Sequence, residues 1–203
     1  PQAIHQRRWD DGRTLQHAPL GPEVERAFGA PYYHFHRADL ANLLADALPA
    51  GRVRVSHRLV GLEEKADKVV ARFENGASAE ADVLIGADGV HSRIRQQMFG
   101  DGKAQFTGIM VWRGLVAMDS LPKHQQRLVG NNWIGVGGHV VTYPLRRGEI
   151  LNFVAAIERD DWRVESWTEP GTKDECLRDL RIWHPDVHNI VERIEIPYKW
   201  ALL

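Results

Sequence analysis

Cysteine occurs once in this 203-residue chain, at Cys176. A lone thiol cannot close a disulfide within the chain, which fits a reducing compartment such as the cytoplasm. No apolar run reaches the ~18 to 20 residues that span a bilayer, and no basic-plus-apolar leader opens the sequence. Neither sign of charge is in excess. Lys and Arg number 26 against 27 Asp and Glu, a formal charge of -1, which argues against nucleic acid as the main partner. The ten histidines lack H-E-x-x-H or C-x-x-C company, so no metal site is expected; the pairs His34/His36 and His184/His188 are the closest spacings. No G-x-S-x-G elbow points to a serine hydrolase.

What is present suits a soluble globular fold. Hydrophobic residues make up 43% and charged residues 26%, enough to bury a core in one generous domain or two small ones. The chain opens on Pro1-Gln2-Ala3 and closes on Trp200-Ala201-Leu202-Leu203. Neither end reads as a natural terminus, and the expectation is a piece of a longer protein.

Turn residues crowd positions 1–35, with short strands expected at Gln6–Trp9 and Thr14–His17 about an Asp11-Gly12 turn. Leu40, Leu43, Leu44, Ala47 and Leu48 form one apolar stripe, predicting a helix over Arg37–Leu48. Strands are predicted at Arg52–Ser56, Leu59–Glu63 and Val69–Phe73, with Asn75-Gly76 as a hairpin turn. Val83-Leu84-Ile85 reads as a short strand covered on both faces. It leads into Gly86-Ala87-Asp88-Gly89 and a helix capped by Ser92 and ended at Gly100. Beyond Gly102 the pattern becomes strands at Ile109–Ala117, Arg127–Val129, Trp133–Val136, His139–Leu145 and Ile150–Glu158. Two helices follow. The first opens on a Thr172/Glu175 capping box and carries Cys176, Leu177, Leu180 and Trp183. The second starts at Pro185 and carries Val187, Ile190, Val191 and Ile194. The fold class is therefore α/β (α+β), with a division expected near residue 102 into parts 1–102 and 103–203. Trp112, Trp133, Trp162, Trp167, Trp183 and Trp200 fit core or sheet positions, although Trp112-Arg113-Gly114 could instead stack on a cofactor. Cys176 fits an inert core position.

The junction Gly86–Gly89 admits two readings. It could be a plain turn in which Asp88 caps the next helix. It could also be a ligand edge, since ligands sit outside the carboxyl ends of strands in open α/β sheets, glycine allows close backbone approach, and a helix N-terminus favours phosphate. His139 and Tyr143 invite a parallel comparison. On a strand they share a face, roughly 13 Å apart. Histidine, with an unperturbed pKa of about 6.5, is the residue type suited to take a proton from a bound hydroxyl group near neutral pH. Tyr143 could hold a carboxylate or ring hydroxyl. The bland alternative is an exposed His139 and a Tyr143 packed on Pro144.

Three segments together carry a resemblance: His36-Arg37-Ala38-Asp39-Leu40; Gly86-Ala87-Asp88-Gly89-Val90-His91-Ser92-Arg93-Ile94-Arg95; and His139-Val140-Val141-Thr142-Tyr143-Pro144-Leu145. In this order they resemble the FAD-dependent aromatic hydroxylases, and most of all the salicylate hydroxylase and 3-hydroxybenzoate 6-hydroxylase branch. The resemblance implies a partial FAD-binding domain with a β-meander, then a mainly antiparallel substrate sheet with packed helices. It implies that Arg37, Asp88 and Gly89 contact FAD or its nicotinamide reductant, that Leu59 lies where the backbone passes the adenine, and that His139 and Tyr143 face the substrate ring. Reduction by NADH or NADPH and transfer of oxygen from O2 to a small phenolic acid would follow, in a cytoplasmic and potentially homodimeric enzyme. The family's opening G-x-G-x-x-G unit and its late Gly-Asp motif have no counterpart here. Two alternatives stay open: a non-catalytic piece that binds at most a small aromatic acid, and the same fold acting on a non-aromatic or polycyclic compound.

Overall fold

The computed structural model describes residues 1–203 apart from positions 101, 103, 160, 162, 163, 165 and 167. The expected core roles of Trp162 and Trp167 lie outside the described residues. The chain divides into two compact units, Pro1–Leu40 with Phe106–Leu203, and Ala41–Gln105. This grouping differs from a single cut near residue 102 because the first strands pair with a strand of the second half.

In chain order the elements are β1 (Ala3–Arg8), β2 (Thr14–Pro19), α1 (Pro22–Phe28), α2 (Arg37–Asp46), β3 (Leu59–Glu64), β4 (Val69–Phe73), β5 (Ser78–Ala81), α3 (Arg93–Phe99), β6 (Ile109–Ala117), β7 (Val129–Gly135), β8 (Gly138–Leu145), β9 (Ile150–Glu158), α4 (Lys173–Asp179), α5 (Pro185–Arg193) and β10 (Tyr198–Ala201).

The first unit is built on a seven-stranded sheet of order β10-β6-β9-β8-β7-β1-β2. All its pairings are antiparallel except the parallel pair β1–β7. Strand alternation sends Trp112, Val140 and Phe153 to one face, where each is fully buried. That face is covered by α4 and α5 through Cys176, Leu180, Val187, Ile190, Val191 and Ile194, the stripes read from the sequence. Thr172 and Glu175 make the reciprocal capping box. Gly114 lies beneath α5, and a Cβ there would stand 2.6 Å from Ile194; only hydrogen fits between sheet and helix. Trp112 belongs to this core rather than to a cofactor site, and its indole N–H donates to Asp179 at 2.8 Å. His184 accepts from the Asp186 amide at the start of α5, and the His188 ring bonds the Leu180 carbonyl at 2.8 Å. Both histidines have local structural roles.

The second unit contains the three-stranded meander β3-β4-β5 and α3. Gln97 of α3 accepts from the Leu62 amide and donates to the Leu62 carbonyl, completing part of the open edge of β3. Three expectations are corrected here. Arg52–Ser56 forms no strand, and Val55 is 79% exposed. The meander's third strand is Ser78–Ala81. Val83–Ile85 forms no strand, with Val83 73% and Ile85 84% exposed. The helix from Arg37 forms, but none of its residues is buried. The reason is common to all of them: an apolar run becomes a strand or a buried stripe only when another strand or layer stands against it.

Phe153 is fully buried at the centre of the sheet. Phe153→Ala is expected to lower unfolding stability by ~3 to 5 kcal/mol, measured by urea denaturation. Cys176 is buried, and burial pushes its thiol far above the usual range. It should resist a thiol-labelling reagent in native buffer and react fully in denaturant, because only the exposed thiolate is nucleophilic.

Candidate functional site

The alternation that buries Trp112, Val140 and Phe153 turns the intervening side chains to the opposite sheet face. Tyr143 of β8 stands directly across from Asn152 of β9. Arg113 of β6 stands across from Val154 on one side and Tyr198 of β10 on the other. These side chains, with Phe35, Arg37, Leu145 and Trp200, line a cavity of about 650 Å³. That volume lies within the ordinary range for small-molecule sites.

The cavity's polar groups are few and distinct. Arg37 and Arg113 bring positive charge and Glu195 a carboxylate. The Arg113 guanidinium lies 5.3 Å from the Trp200 ring centre and 5.9 Å from that of Tyr198, close enough for cation–π attraction. Among the described residues, the buried Asn152 side-chain amide nitrogen has no hydrogen-bond partner, leaving a desolvated donor. Burial, reinforced by Tyr32, pushes the Tyr143 hydroxyl above its usual value, so it remains a protonated donor at neutral pH. The His34 ring packs 4.6 Å from the Tyr143 ring, and burial holds its pKa below the ordinary histidine value. Sequence reading weighed His34 only as a metal ligand with His36 and missed its place beside Tyr143. Arg113 and Asn152 were also missed. The period-2 pattern of β6 and β9 could have put them on the face opposite the core, but not in a cavity.

The expected site residues do not all meet. Arg37 opens α2 and lines the cavity with Tyr143. His139 shares the strand face of Tyr143 but stands near the β7–β8 turn. It is exposed, pairs with Ile134 and Ala156, and does not line this cavity. Near the other end of β8, Arg146 donates through Nε and Nη2 to the two carboxylate oxygens of Asp39, each at 2.8 Å. The Arg146 hydrogen bond, and then His36, hold the Asp39 carboxyl at about 2.

In the second unit, Asp88 accepts from the Ser92 hydroxyl at 2.6 Å and the Arg93 amide at 2.7 Å. Its carboxylate therefore caps α3, the plainer of the two readings of the junction. The Ser92 hydrogen bond is the main cause that lowers the Asp88 carboxyl below its usual range. Gly89 has φ +79, and a Cβ there would meet nothing within 4 Å. The position suits glycine for its backbone and leaves that backbone open to approach. Leu59 opens β3 opposite Phe73.

The FAD binding domain family matches residues 20–196. The chain belongs to this family. Among related proteins, it is 40% identical to a 3-amino-4-hydroxybenzoate 2-monooxygenase of Streptomyces platensis, covering 98% of this chain and 50% of that one. It is 34% identical to a 3-hydroxybenzoate 6-hydroxylase of Aquipseudomonas alcaligenes, covering 96% of this chain and 50% of that one. A salicylate hydroxylase solved as a substrate complex aligns with a TM-score of 0.79 and 28% identity, over 99% of this chain and 52% of that one. The chain thus spans about half the length of the curated relatives it matches. The α/β architecture with its mainly antiparallel sheet is the fold of these flavoprotein hydroxylases.

The residues present fit a flavin in part. Taken separately, Gly89 of the second unit presents unobstructed backbone beside a helix start, and Arg37 of the first unit lines a cavity with Asn152, whose amide nitrogen has no partner among the described residues. Asp88, by contrast, already accepts three hydrogen bonds from its own helix start.

Removing that cap has a local signature. Asp88→Ala is expected to speed amide exchange at Arg93 and Ile94, the backbone donors it satisfies, with little change in the meander. Because the folded carboxyl titrates below its unfolded value, the protection should hold at neutral pH. It should fade as pH falls through that lowered value, followed by hydrogen exchange across an acid series.

Proposed function

We propose that this chain forms the substrate face and part of the flavin-binding region of a monooxygenase that hydroxylates a phenolic aromatic acid using NAD(P)H and O2. The observation that carries this reading is the cavity that unites Tyr143, Asn152, Arg37 and Arg113 with an apolar wall. Val154, Leu145 and Trp200 offer a surface for a planar ring. The two guanidiniums favour an anion, and the Tyr143 hydroxyl and Asn152 amide donate to carboxylate or phenolate oxygens. Names of the related proteins, which include aminohydroxybenzoate, hydroxybenzoate and salicylate hydroxylases, support the same substrate class.

FAD, when bound, supplies the redox chemistry that activates O2. The resemblance assigns contact with it to Arg37 in the first unit and, separately, to Leu59, Asp88 and Gly89 in the second. Within the protein, Tyr143 orients the ring, and the apolar wall excludes water from it. His139, on the Tyr143 face of β8 but outside the lining of this cavity, is proposed as the base for the ring hydroxyl on the resemblance of the His139–Pro144 stretch alone. The lone buried cysteine is consistent with a cytoplasmic enzyme, and among the described residues no helix is long and apolar enough to cross a membrane.

In the full-length protein, NADH or NADPH oxidation should rise on adding salicylate, 3-hydroxybenzoate or 4-hydroxybenzoate, with hydroxylated product by chromatography. Absence of both with all three acids overturns the proposal. Tyr143→Phe should raise KM about tenfold, the loss of one hydrogen bond of about 1.4 kcal/mol. His139→Ala should lower kcat about 100-fold while FAD stays bound; an unchanged kcat removes it from the base role.

A second reading concerns the 203-residue chain taken alone. The exposed Val83 and Ile85 favour a chain that by itself binds at most a small aromatic acid. Mixed with FAD and desalted, it should emerge colourless, whereas visible flavin absorbance would show that the chain suffices.

A further inference from the structure

We infer that the Asp39–Arg146 ion pair is a positioning clamp that holds Arg37 and Tyr143 in one geometry across the cavity, so that reducing equivalents are spent on hydroxylation. The inference rests on the functional reading above. Asp39 lies in the first turn of α2, two residues after Arg37. Arg146 directly follows Leu145, which lines the cavity, and is three residues beyond Tyr143. The two bonds of 2.8 Å form a planar fork between guanidinium and carboxylate. Such a fork sets distance and orientation together, which a single ammonium contact does not.

The backbone at Arg146 is consistent with a built contact. Arg146 and Arg147 have φ of 46 and 60, and Gly148 has φ 97. Two consecutive non-glycine residues in the left-handed region are retained only where their surroundings hold them. Met118 donates its amide to the Glu149 carbonyl just beyond this turn at 2.9 Å, tying it to the sheet. The same Asp39 carboxylate also stands 3.4 Å from Nδ1 of His36, itself a cavity residue. One carboxylate thus touches both the segment that carries Arg37 and the end of the strand that carries Tyr143.

The pair is half exposed, with side-chain exposures of 41% for Asp39 and 46% for Arg146. Exposed ion pairs contribute little to global stability. Its effect should therefore lie in alignment, where a displacement of about 1 Å is enough to cost a large factor in rate. With the ring misplaced, NAD(P)H and a proton reduce O2 to hydrogen peroxide, and no oxygen reaches the substrate.

The test uses the full-length protein with FAD bound and compares wild type with Asp39→Asn, Arg146→Gln, Arg146→Lys and the Asp39→Asn/Arg146→Gln double variant. Melting temperatures should stay within about 3 °C of wild type. Product formed per NAD(P)H consumed should fall at least about threefold, with hydrogen peroxide making up the difference. Arg146→Lys keeps the charge but not the fork, and should lose yield like Arg146→Gln. The double variant should lose no more than either single variant, as expected of groups acting as one unit. Wild-type yield and KM in Asp39→Asn and Arg146→Lys overturn the clamp, and so do additive losses in the double variant. Wild-type protein that forms no hydroxylated product overturns the functional reading and the clamp with it.

Discussion

The strict alternation of side chains along β6, β8 and β9 is the constraint on which the rest of the molecule depends. The three strands lie side by side in register, with Trp112 facing Ala155 and Tyr143 facing Asn152 across neighbouring ladders. A slip of one residue would exchange the two faces. It would drive Arg113, Asn152 and Tyr143 into the helix-packed core and turn Trp112 and Phe153 to the cavity. Burial of those large side chains beneath α4 and α5 therefore does two things at once. It stabilises the sheet, and it determines which polar groups stand on the free face.

The cavity's chemistry follows from that allocation. Burial pushes the Tyr143 hydroxyl above its ordinary value, and burial makes His34 beside it favour its neutral form. The buried Asn152 amide nitrogen lacks a partner among the described residues. A group in that condition is costly to keep unless something bound completes it. Two guanidiniums against one carboxylate make an environment suited to an anionic ring. Leu145, Val154 and Trp200 supply the apolar surface that such a ring needs.

The second unit illustrates how far local chemistry reaches. Its meander and α3 form because their hydrogen bonds close locally, through β3–β4–β5 pairing and the Asp88, Ser92 and Gln97 contacts. Leu43, Leu44, Val55, Val83 and Ile85 are exposed, since apolar pattern alone provides no opposing layer. The Gly86–Gly89 junction has a comparable division of labour. Asp88 is occupied by its own helix, while Gly89 leaves backbone open to approach.

Much of the first unit was legible beforehand. β6 and β9 begin and end where alternation predicted, and the stripes of α4 and α5 are the buried ones, because period and capping are local properties of residues. The strand β10 and the helix α1 escaped notice; each is short and carries a weak periodic signal. The motif residues Arg37, Asp88, Gly89, His139 and Tyr143 could be selected from sequence, since residue type and spacing define a motif. Only the tertiary structure decided that Arg37 and Tyr143 share a cavity with Arg113 and Asn152, that His139 stands outside its lining, and that Asp39 meets Arg146. Those residues lie far apart along the chain, and their meeting depends on strand order, register and packing rather than on any local preference.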